Sequence, residues 1–316
     1  MNFLIINIKK ILDKLFYKNQ YQAYFIFGIF FLIFSANVKN YGISFDEMEY
    51  RQQGFIVANH LGKKIAPALV TKLTEKKNLE FKDLNTYFKT KQNNYKISHT
   101  LMAISEAILM KDSEKKNVYL FRHYVNFIIG FLTIILTYKI SRIKFSRNIA
   151  LIISIFFMST PIIVSNFNFN PNDIWFMFFV SLSTFCSLKL INKPDSKLLI
   201  FLLPLSLAFS INIRLVGIYI FFIFLIFYIY EKISLKKKLF NISIIVSLFI
   251  FITLLITPQL WNKPTIFLHL LFGQLKFQAI DVDIMFLGNL IKSSELPWYY
   301  LLVWIIISLP SLIICC

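Results

Sequence analysis

The chain has 316 residues, 57% of them hydrophobic, with a mean hydropathy of +0.64 and a formal net charge of +18. Soluble domains are about 45–50% apolar, so this composition argues against an ordinary soluble enzyme and indicates a membrane protein. The Lys and Arg residues lie in short clusters between apolar runs, which favours membrane topology over nucleic-acid binding. The apolar runs are continuous and do not alternate, so they predict helices and not an outer-membrane barrel.

The first apolar run covers residues 23–38 and follows a basic amino-terminal segment. We interpret it as an uncleaved signal anchor with the amino terminus inside, because a long charged segment precedes it and more spans follow. A cleaved signal peptide is the alternative, since the flank is positive and small residues follow the run.

Further apolar runs predict the rest of the spans: 118–138, 149–165, 173–190, 198–230, 240–257 and 297–314. A single helix over 198–230 would be about 50 Å long against a hydrocarbon core of about 30 Å. It would also place Arg214 near the middle of the membrane, at a cost of at least about 2.5–3.5 kcal/mol. We therefore predict two short helices that turn at "SINIR", which gives an all-α polytopic protein of about eight transmembrane helices.

Orientation follows from the distribution of positive charge. With the amino terminus inside, the short outer loop 166–172 carries no Lys or Arg. The inner segments each carry three or four: 1–21, 139–148, 189–197 and 231–239. Most of the acidic residues then lie outside. Two outer segments, about 39–117 and 258–296, are too long for turns and mix apolar with polar residues, as in "SHTLMAISEAILM" and "PTIFLHLLFGQL". Both are predicted to contain helices that lie in the interface plane.

The stretch "GISFDEMEYRQQG" places Asp46 and Glu47 a few residues beyond the first span. A carboxylate there can take a proton from an acceptor hydroxyl or hold a metal ion. The alternative is a solvated start of a loop, because paired acids in loops are common. Asp173 lies at the outer end of the fourth predicted span. There Asn170 is the expected N-cap, and an acid in the first turn favours the helix dipole.

Basic and aromatic candidates for substrate binding lie on the same predicted outer side of the membrane. Arg122 can bind a phosphate bidentately, or its side chain can snorkel to the interface; Arg214 has the same two interpretations. His99 is either a ligand or an interfacial polar residue. Trp298, in "LPWYYLLVW", belongs to an aromatic belt or to the substrate site. The sequence contains no Gly-rich phosphate loop, serine nucleophile elbow or zinc motif.

Six stretches, in this order along the chain, resemble the GT-C membrane glycosyltransferases. The likeness is to the protein O-mannosyltransferase and aminoarabinose lipid A transferase family (glycosyltransferase family 39-like). The stretches are "GISFDEMEYRQQG", "FRHYVNF", "NFNPNDIWFMFF", "INIRLVGIY", "TPQLWNKP" and "ELPWYYLLVW". They cover residues from about 40 to 305.

This resemblance implies an enzyme that transfers a sugar from a polyprenyl-phosphate donor to a lipid, glycan or protein acceptor. It implies inversion at the anomeric carbon and an active site that faces the periplasm from a bacterial inner membrane. Asp46 resembles the catalytic carboxylate of the family, Glu47 its acidic partner and Asp173 the second acid. Arg122 corresponds to a basic residue near the donor phosphate, and Arg214 to a recurring Arg. Metal use varies in the class, so a divalent metal is neither required nor excluded.

Two other classes of function stay open. A transporter or lipid flippase would place polar sites near the bilayer midplane, often in repeated halves. The spans show few mid-membrane charges and no repeat. An inactive membrane subunit is the other alternative, because family members usually continue with further spans beyond "PSLIICC". The chain is accordingly expected to be a single GT-C-like domain over 1–316 that lacks the carboxyl-terminal part.

Overall fold

The computed structural model describes residues 21–65, 96–110, 113–262 and 281–308. These residues form helices and one small hairpin, so the protein is an all-α polytopic membrane protein. The elements are α1 (Tyr21–Asn37), α2 (Glu47–Ile65), α3 (Ile97–Leu109), α4 (Lys115–Ser141), α5 (Arg147–Ser159), α6 (Pro161–Phe169), α7 (Pro171–Asn192), α8 (Lys197–Ile213), α9 (Ile218–Tyr230), α10 (Leu235–Ile256), α11 (Gln259–Asn262), β1 (Asp283–Phe286), β2 (Asn289–Lys292) and α12 (Tyr300–Ser308).

Four helices in the described part of the chain, α1, α4, α7 and α10, are long and apolar enough to cross a membrane. They coincide with the predicted spans 23–38, 118–138, 173–190 and 240–257. The α5–α6 pair would be a fifth span if its two bent parts cross together. Helices α3, α8 and α9 are apolar but shorter, so the predicted total of eight spans stays a prediction.

The predicted span 149–165 is not one straight helix. Helix α5 ends at Ser159, α6 begins at Pro161, and their axes differ by 64°. Proline lacks the amide hydrogen that a continuing helix needs and clashes with the preceding turn, but it is well suited to the first position of a new helix.

The predicted break in 198–230 is confirmed. Helix α8 ends at Ile213, Arg214 has an extended backbone, and a 3-10 turn at Leu215–Gly217 leads into α9. Gly217 lies so close to α8 that an added Cβ would be 2.6 Å from the Ser210 hydroxyl oxygen. The turn therefore keeps Arg214 out of the apolar part of the helices.

The two largest of four apolar clusters among the described residues hold most of the bundle together. One is built around Phe127 of α4 and Phe167 of α6, and the other around Leu203 of α8 and Tyr228 of α9. Many large apolar side chains remain exposed on the outside of the spans, as expected for surfaces that face lipid. Helices α2 and α3 pack against each other, with Gly54 of α2 against the backbone of His99.

The described part of the segment 258–296 contains the short helix α11 and a hairpin that the prediction of interfacial helices did not include. Residues 283–292 form an antiparallel hairpin in which Asp283 pairs with Lys292. Its turn residues Leu287 and Gly288 both have positive φ angles, which is the geometry of a tight two-residue hairpin turn. The stretch "PTIFLHLLFGQL" lies outside the described residues. In the segment 39–117 the structure contains helices α2 and α3, and their position in the interface plane stays a prediction.

Candidate functional site

Asp46 stands directly before α2, at the positive end of the helix dipole. Its carbonyl oxygen accepts the Tyr50 amide hydrogen at 2.9 Å. The Ser44 amide donates to Glu47 Oε2 at 2.7 Å and fixes the start of the helix. The Asp46 side chain is exposed. Its Oδ2 accepts one hydrogen bond, and its Oδ1 has no hydrogen-bond partner among the described residues.

The partner of Asp46 Oδ2 is the Tyr50 hydroxyl, which donates to it at 3.2 Å. The Tyr50 ring stacks on His99, with centroids 4.5 Å apart. Burial, then the charge of Asp46 and, more weakly, that of Asp173, raise the pKa of Tyr50 to about 12. Tyr50 therefore stays protonated at neutral pH. The two aspartates that raise its pKa are the candidates predicted from distant stretches of the sequence.

His99 connects the helices beneath this phenol. Its Nδ1 is 3.2 Å from Gln53 Oε1 on α2, and its Nε2 is 2.7 Å from Asn172 Oδ1 on α7. Burial lowers the pKa of His99 to about 3, so the imidazole is neutral. A neutral imidazole has one donor and one acceptor nitrogen, so one of the two amides must present its NH₂ group. His99 is therefore a buried residue that connects α2, α3 and α7.

Asp173 is held from two sides. Asn170 caps α7 as predicted, because its Oδ1 accepts the Asp173 amide hydrogen at 3.0 Å. The Asn170 amide group also donates to Asp173 Oδ2 at 2.9 Å, and the Arg214 guanidinium donates to Oδ1. The Asp173 and Arg214 side chains are each 48% exposed. Both carboxylate oxygens of Asp173 are therefore already accepting hydrogen bonds at a water-accessible surface.

Lys96 is a member of the site that sequence reasoning missed. It precedes α3, and its Nζ lies 5.9 Å from the centroid of the Tyr50 ring. Burial and the nearby Arg214 charge lower the pKa of Lys96 to about 8, against the opposing charges of Asp173 and Asp46. A single lysine in a polar stretch gives no sequence signal for this role. We call Asp46, Tyr50, Lys96, Asp173 and Arg214 the aspartate cluster.

A second group of charges lies on another face of α2, and all of its members are almost fully buried except Arg51, which is 26% exposed. Glu47 Oε1 is 2.9 Å from His123 Nε2, and both side chains are almost fully buried. Glu106, which is 0% exposed, accepts from Arg51 at 2.6 Å and from Arg122 at 3.1 Å. The paired charge and hydrogen bonds of Glu106 outweigh burial and raise the pKa of Arg51. We call Glu47, Arg51, Glu106, Arg122 and His123 the buried ion network.

The contacts of Arg122 and Glu47 therefore differ from those expected from the sequence. The snorkelling interpretation is wrong for Arg122, because its guanidinium is buried against Glu106. Glu47 is turned away from Asp46 toward His123. Sequence reasoning missed Glu106, although a carboxylate in the apolar stretch "SHTLMAISEAILM" was a signal, since a buried acid requires a partner.

Trp298 is 84% exposed and lies edge-on to Tyr299, close to the hairpin. No contact in the described part of the chain joins it to the aspartate cluster. Within the same ranges, no group of three His, Cys, Asp or Glu side chains is placed to hold a metal ion.

Comparison with known proteins gives a match at the family level. Residues 101–257, about half of the chain, match the family model described as dolichyl-phosphate-mannose-protein mannosyltransferase. The matched range contains Arg122, Asp173 and Arg214 and begins after Asp46 and Lys96. No curated protein and no solved structure matches the chain significantly.

Proposed function

Over residues 101–257 the chain belongs to the dolichyl-phosphate-mannose-protein mannosyltransferase family of GT-C membrane glycosyltransferases, and on this premise we propose its reaction. We propose that it transfers a sugar from a polyprenyl-phosphate donor to an acceptor hydroxyl. The reaction would take place on the periplasmic side of a bacterial inner membrane, with inversion at the anomeric carbon. The acceptor would be a lipid, a glycan or a protein.

One observation supports this proposal above the others. Asp46 accepts a hydrogen bond from the Tyr50 phenol, the charge of Asp173 also raises the pKa of that phenol, and the cations Lys96 and Arg214 lie beside the two aspartates. Exposed carboxylates can accept a proton or a substrate hydroxyl, and adjacent cations can stabilise the charge of a leaving phosphate. A transporter would more typically place such a cluster along a path through the membrane. Here it lies at helix ends, before α2, at the start of α7 and after α8.

The two aspartates are suited to different roles. Asp46 Oδ1 has no hydrogen-bond partner among the described residues, so it can accept the proton of an acceptor hydroxyl. Both Asp173 oxygens accept hydrogen bonds, one from Asn170 and one from Arg214. Asp173 is therefore suited to orient Arg214 and the substrate hydroxyls. We assign Asp46 as the general base and Asp173 as the second acid of the site.

In the proposed step the acceptor oxygen attacks the anomeric carbon while its proton passes to Asp46. The bond between the anomeric carbon and the phosphate oxygen breaks, and polyprenyl phosphate leaves with the electron pair. Arg214 and Lys96 stabilise the negative charge that develops on that oxygen. Because attack and departure occur on opposite faces of the sugar, the configuration inverts. If a metal were required, Asp46 would be its most accessible carboxylate.

The test uses membranes that contain the full chain, incubated with a panel of labelled polyprenyl-phosphate sugars. Label should move from the donor into an acceptor fraction, and NMR of the product linkage should show the inverted anomer. Asp46→Asn should lower incorporation by about 10²-fold or more, the usual contribution of a general base. The matched control is Asp283→Asn, the same change at an exposed hairpin position.

Equal incorporation by Asp46→Asn and the wild type would remove Asp46 as the base. Absence of transfer by the wild type from every sugar in the panel would contradict the donor class. A thermal unfolding measurement on each variant separates loss of chemistry from loss of folding.

A further inference from the structure

A cavity of about 970 Å³ lies on the side of α2 that carries the buried ion network. It is lined by the 3-10 turn after α1, the start of α2 and the first two turns of α4. Met48 and Arg51 line it, whereas Tyr50 and Gln53 point toward His99. Helical residues are rotated by about 100° per position, so these two pairs belong to different faces of α2. The cavity is therefore separate from the aspartate cluster.

The charge of this cavity has one sign. Lys39, Lys115, Lys116 and Arg51 all line it, and none of the described lining residues is acidic. The three lysines are exposed, and no salt bridge to a described carboxylate involves them. Arg51 is paired with Glu106, but the three lysines have no described carboxylate partner, and uncompensated cations around one space favour an anionic ligand.

Arg51 gives this cavity a fixed donor. Its Nε and Nη2 bind Glu106, so the guanidinium is held in one orientation. Its Nη1 has no hydrogen-bond partner among the described residues, and the side chain is 26% exposed. A guanidinium positioned in this way has little entropy left to lose when it binds a phosphate oxygen.

The position of the cavity along the membrane-spanning helices indicates where its ligand comes from. It lies between the end of the candidate span Gln22–Asn40 and the start of Lys115–Lys144. Tyr124 donates to the Ser35 carbonyl at 3.3 Å, so these two ends are at the same level. The ends of spans lie near the lipid headgroups. The apolar side chains of Ile43 and Met48 also line the cavity, which suits an amphiphile better than a free ion.

We propose that this cationic cavity binds the phosphate group of a membrane-anchored amphiphile, at a site distinct from the aspartate cluster. The phosphate would lie among Lys39, Lys115, Lys116 and Arg51, with the apolar part of the ligand toward the ends of α1 and α4. The site requires no transfer chemistry, so its test does not depend on the proposed function.

The test uses the purified full chain in phosphatidylcholine nanodiscs that contain a minor fraction of phosphatidylglycerol or of polyprenyl phosphate. Native mass spectrometry then counts the lipids retained by the protein. Both phosphate probes should be retained in preference to phosphatidylcholine. Lys115→Gln combined with Lys116→Gln should lower this preference roughly thirtyfold, which corresponds to about 2 kcal/mol for the two lysines that line the cavity.

Two matched variants control for charge and folding. Lys139→Gln combined with Lys144→Gln removes the same charge near the other end of α4, away from the cavity, so it measures general surface attraction and should lower retention much less than the cavity variant does. Lys115→Arg combined with Lys116→Arg keeps the charge and should keep retention. The substituted lysines are exposed, so folding should be preserved.

Competition identifies the source of the phosphate. Displacement of phosphatidylglycerol by polyprenyl phosphate would assign the cavity to a polyprenyl ligand, and resistance to displacement would assign it to a structural lipid. Displacement by soluble glycerol phosphate would show that the headgroup alone suffices. All three results support a phosphate site. Equal retention in the wild type and the Lys→Gln double variant, or equal retention of phosphatidylcholine, would overturn it.

Discussion

The two sides of α2 carry charges in opposite physical states. In the aspartate cluster, Asp46, Asp173 and Arg214 reach water, and Asp46 keeps one carboxylate oxygen without a described partner. In the buried ion network, Glu106 is 0% exposed and is bound by two arginines. Exposed charge with spare hydrogen-bonding capacity suits substrate chemistry, whereas a buried carboxylate held by two arginines fixes where helices lie. The helix thus joins a reactive face to a structural face.

The strongest test of this contrast is Glu106→Gln. The change leaves Arg122 buried without its carboxylate, and breaking a buried pair in this way costs about 3–5 kcal/mol. The free energy of unfolding, measured by denaturant titration in micelles, should fall by that amount. Glu114→Gln removes the same charge at an exposed position whose side chain does not cap α4, and it should have little effect. Equal stability of the two variants would contradict the structural role of the network.

A smaller loss is expected from Gly54→Ala, which disturbs the contact between α2 and α3. An added Cβ would lie 2.1 Å from the His99 carbonyl oxygen, so the two backbones must separate. Overpacking of this kind costs about 1–3 kcal/mol. It should also lower sugar transfer, because His99 supports Tyr50.

The control for this variant is Gly28→Ala in α1, where nothing lies within 4 Å of the added Cβ. It should leave the midpoint of thermal unfolding unchanged or slightly raised, since alanine favours helix. A Gly54→Ala protein as stable as this control would show that the contact between α2 and α3 is looser than described.

The smallest expected effect is a pH-dependent decrease, on the order of tenfold, in the rate of sugar transfer, and it involves only the aspartate cluster. Lys96 has a pKa lowered to about 8, so it is protonated below that pH and loses its charge as the pH rises through it. If it stabilises the leaving phosphate, transfer should fall roughly tenfold by pH 9, in proportion to the protonated fraction. Lys96→Arg keeps its charge throughout this range and should remove the decline.

Lys292→Arg, at an exposed hairpin position, serves as the control and should show the wild-type pH profile. A decline that persists in Lys96→Arg would assign the titration to another group and remove Lys96 from donor binding. The free energy of unfolding, measured over the same pH range, separates this effect from pH-dependent unfolding.

The amino-acid sequence by itself determined the local features of this protein. Continuous apolar runs fixed the positions of α1, α4, α7 and α10, because burying backbone polar groups in lipid requires helices of that length. The charge of Arg214 predicted the break after α8, and "NPND" predicted the cap that orients Asp173. These features depend on neighbours within a few residues, so a linear pattern is sufficient to reveal them.

Only the tertiary structure decided which charges meet. Glu106 binds Arg51, 55 positions earlier, and His99 contacts Asn172, 73 positions later. The tertiary structure also turned Glu47 away from Asp46 and brought Lys96 beside Tyr50. A buried charge takes its partner from whichever helix packs against it. That choice depends on the three-dimensional packing of helices and not on spacing along the chain.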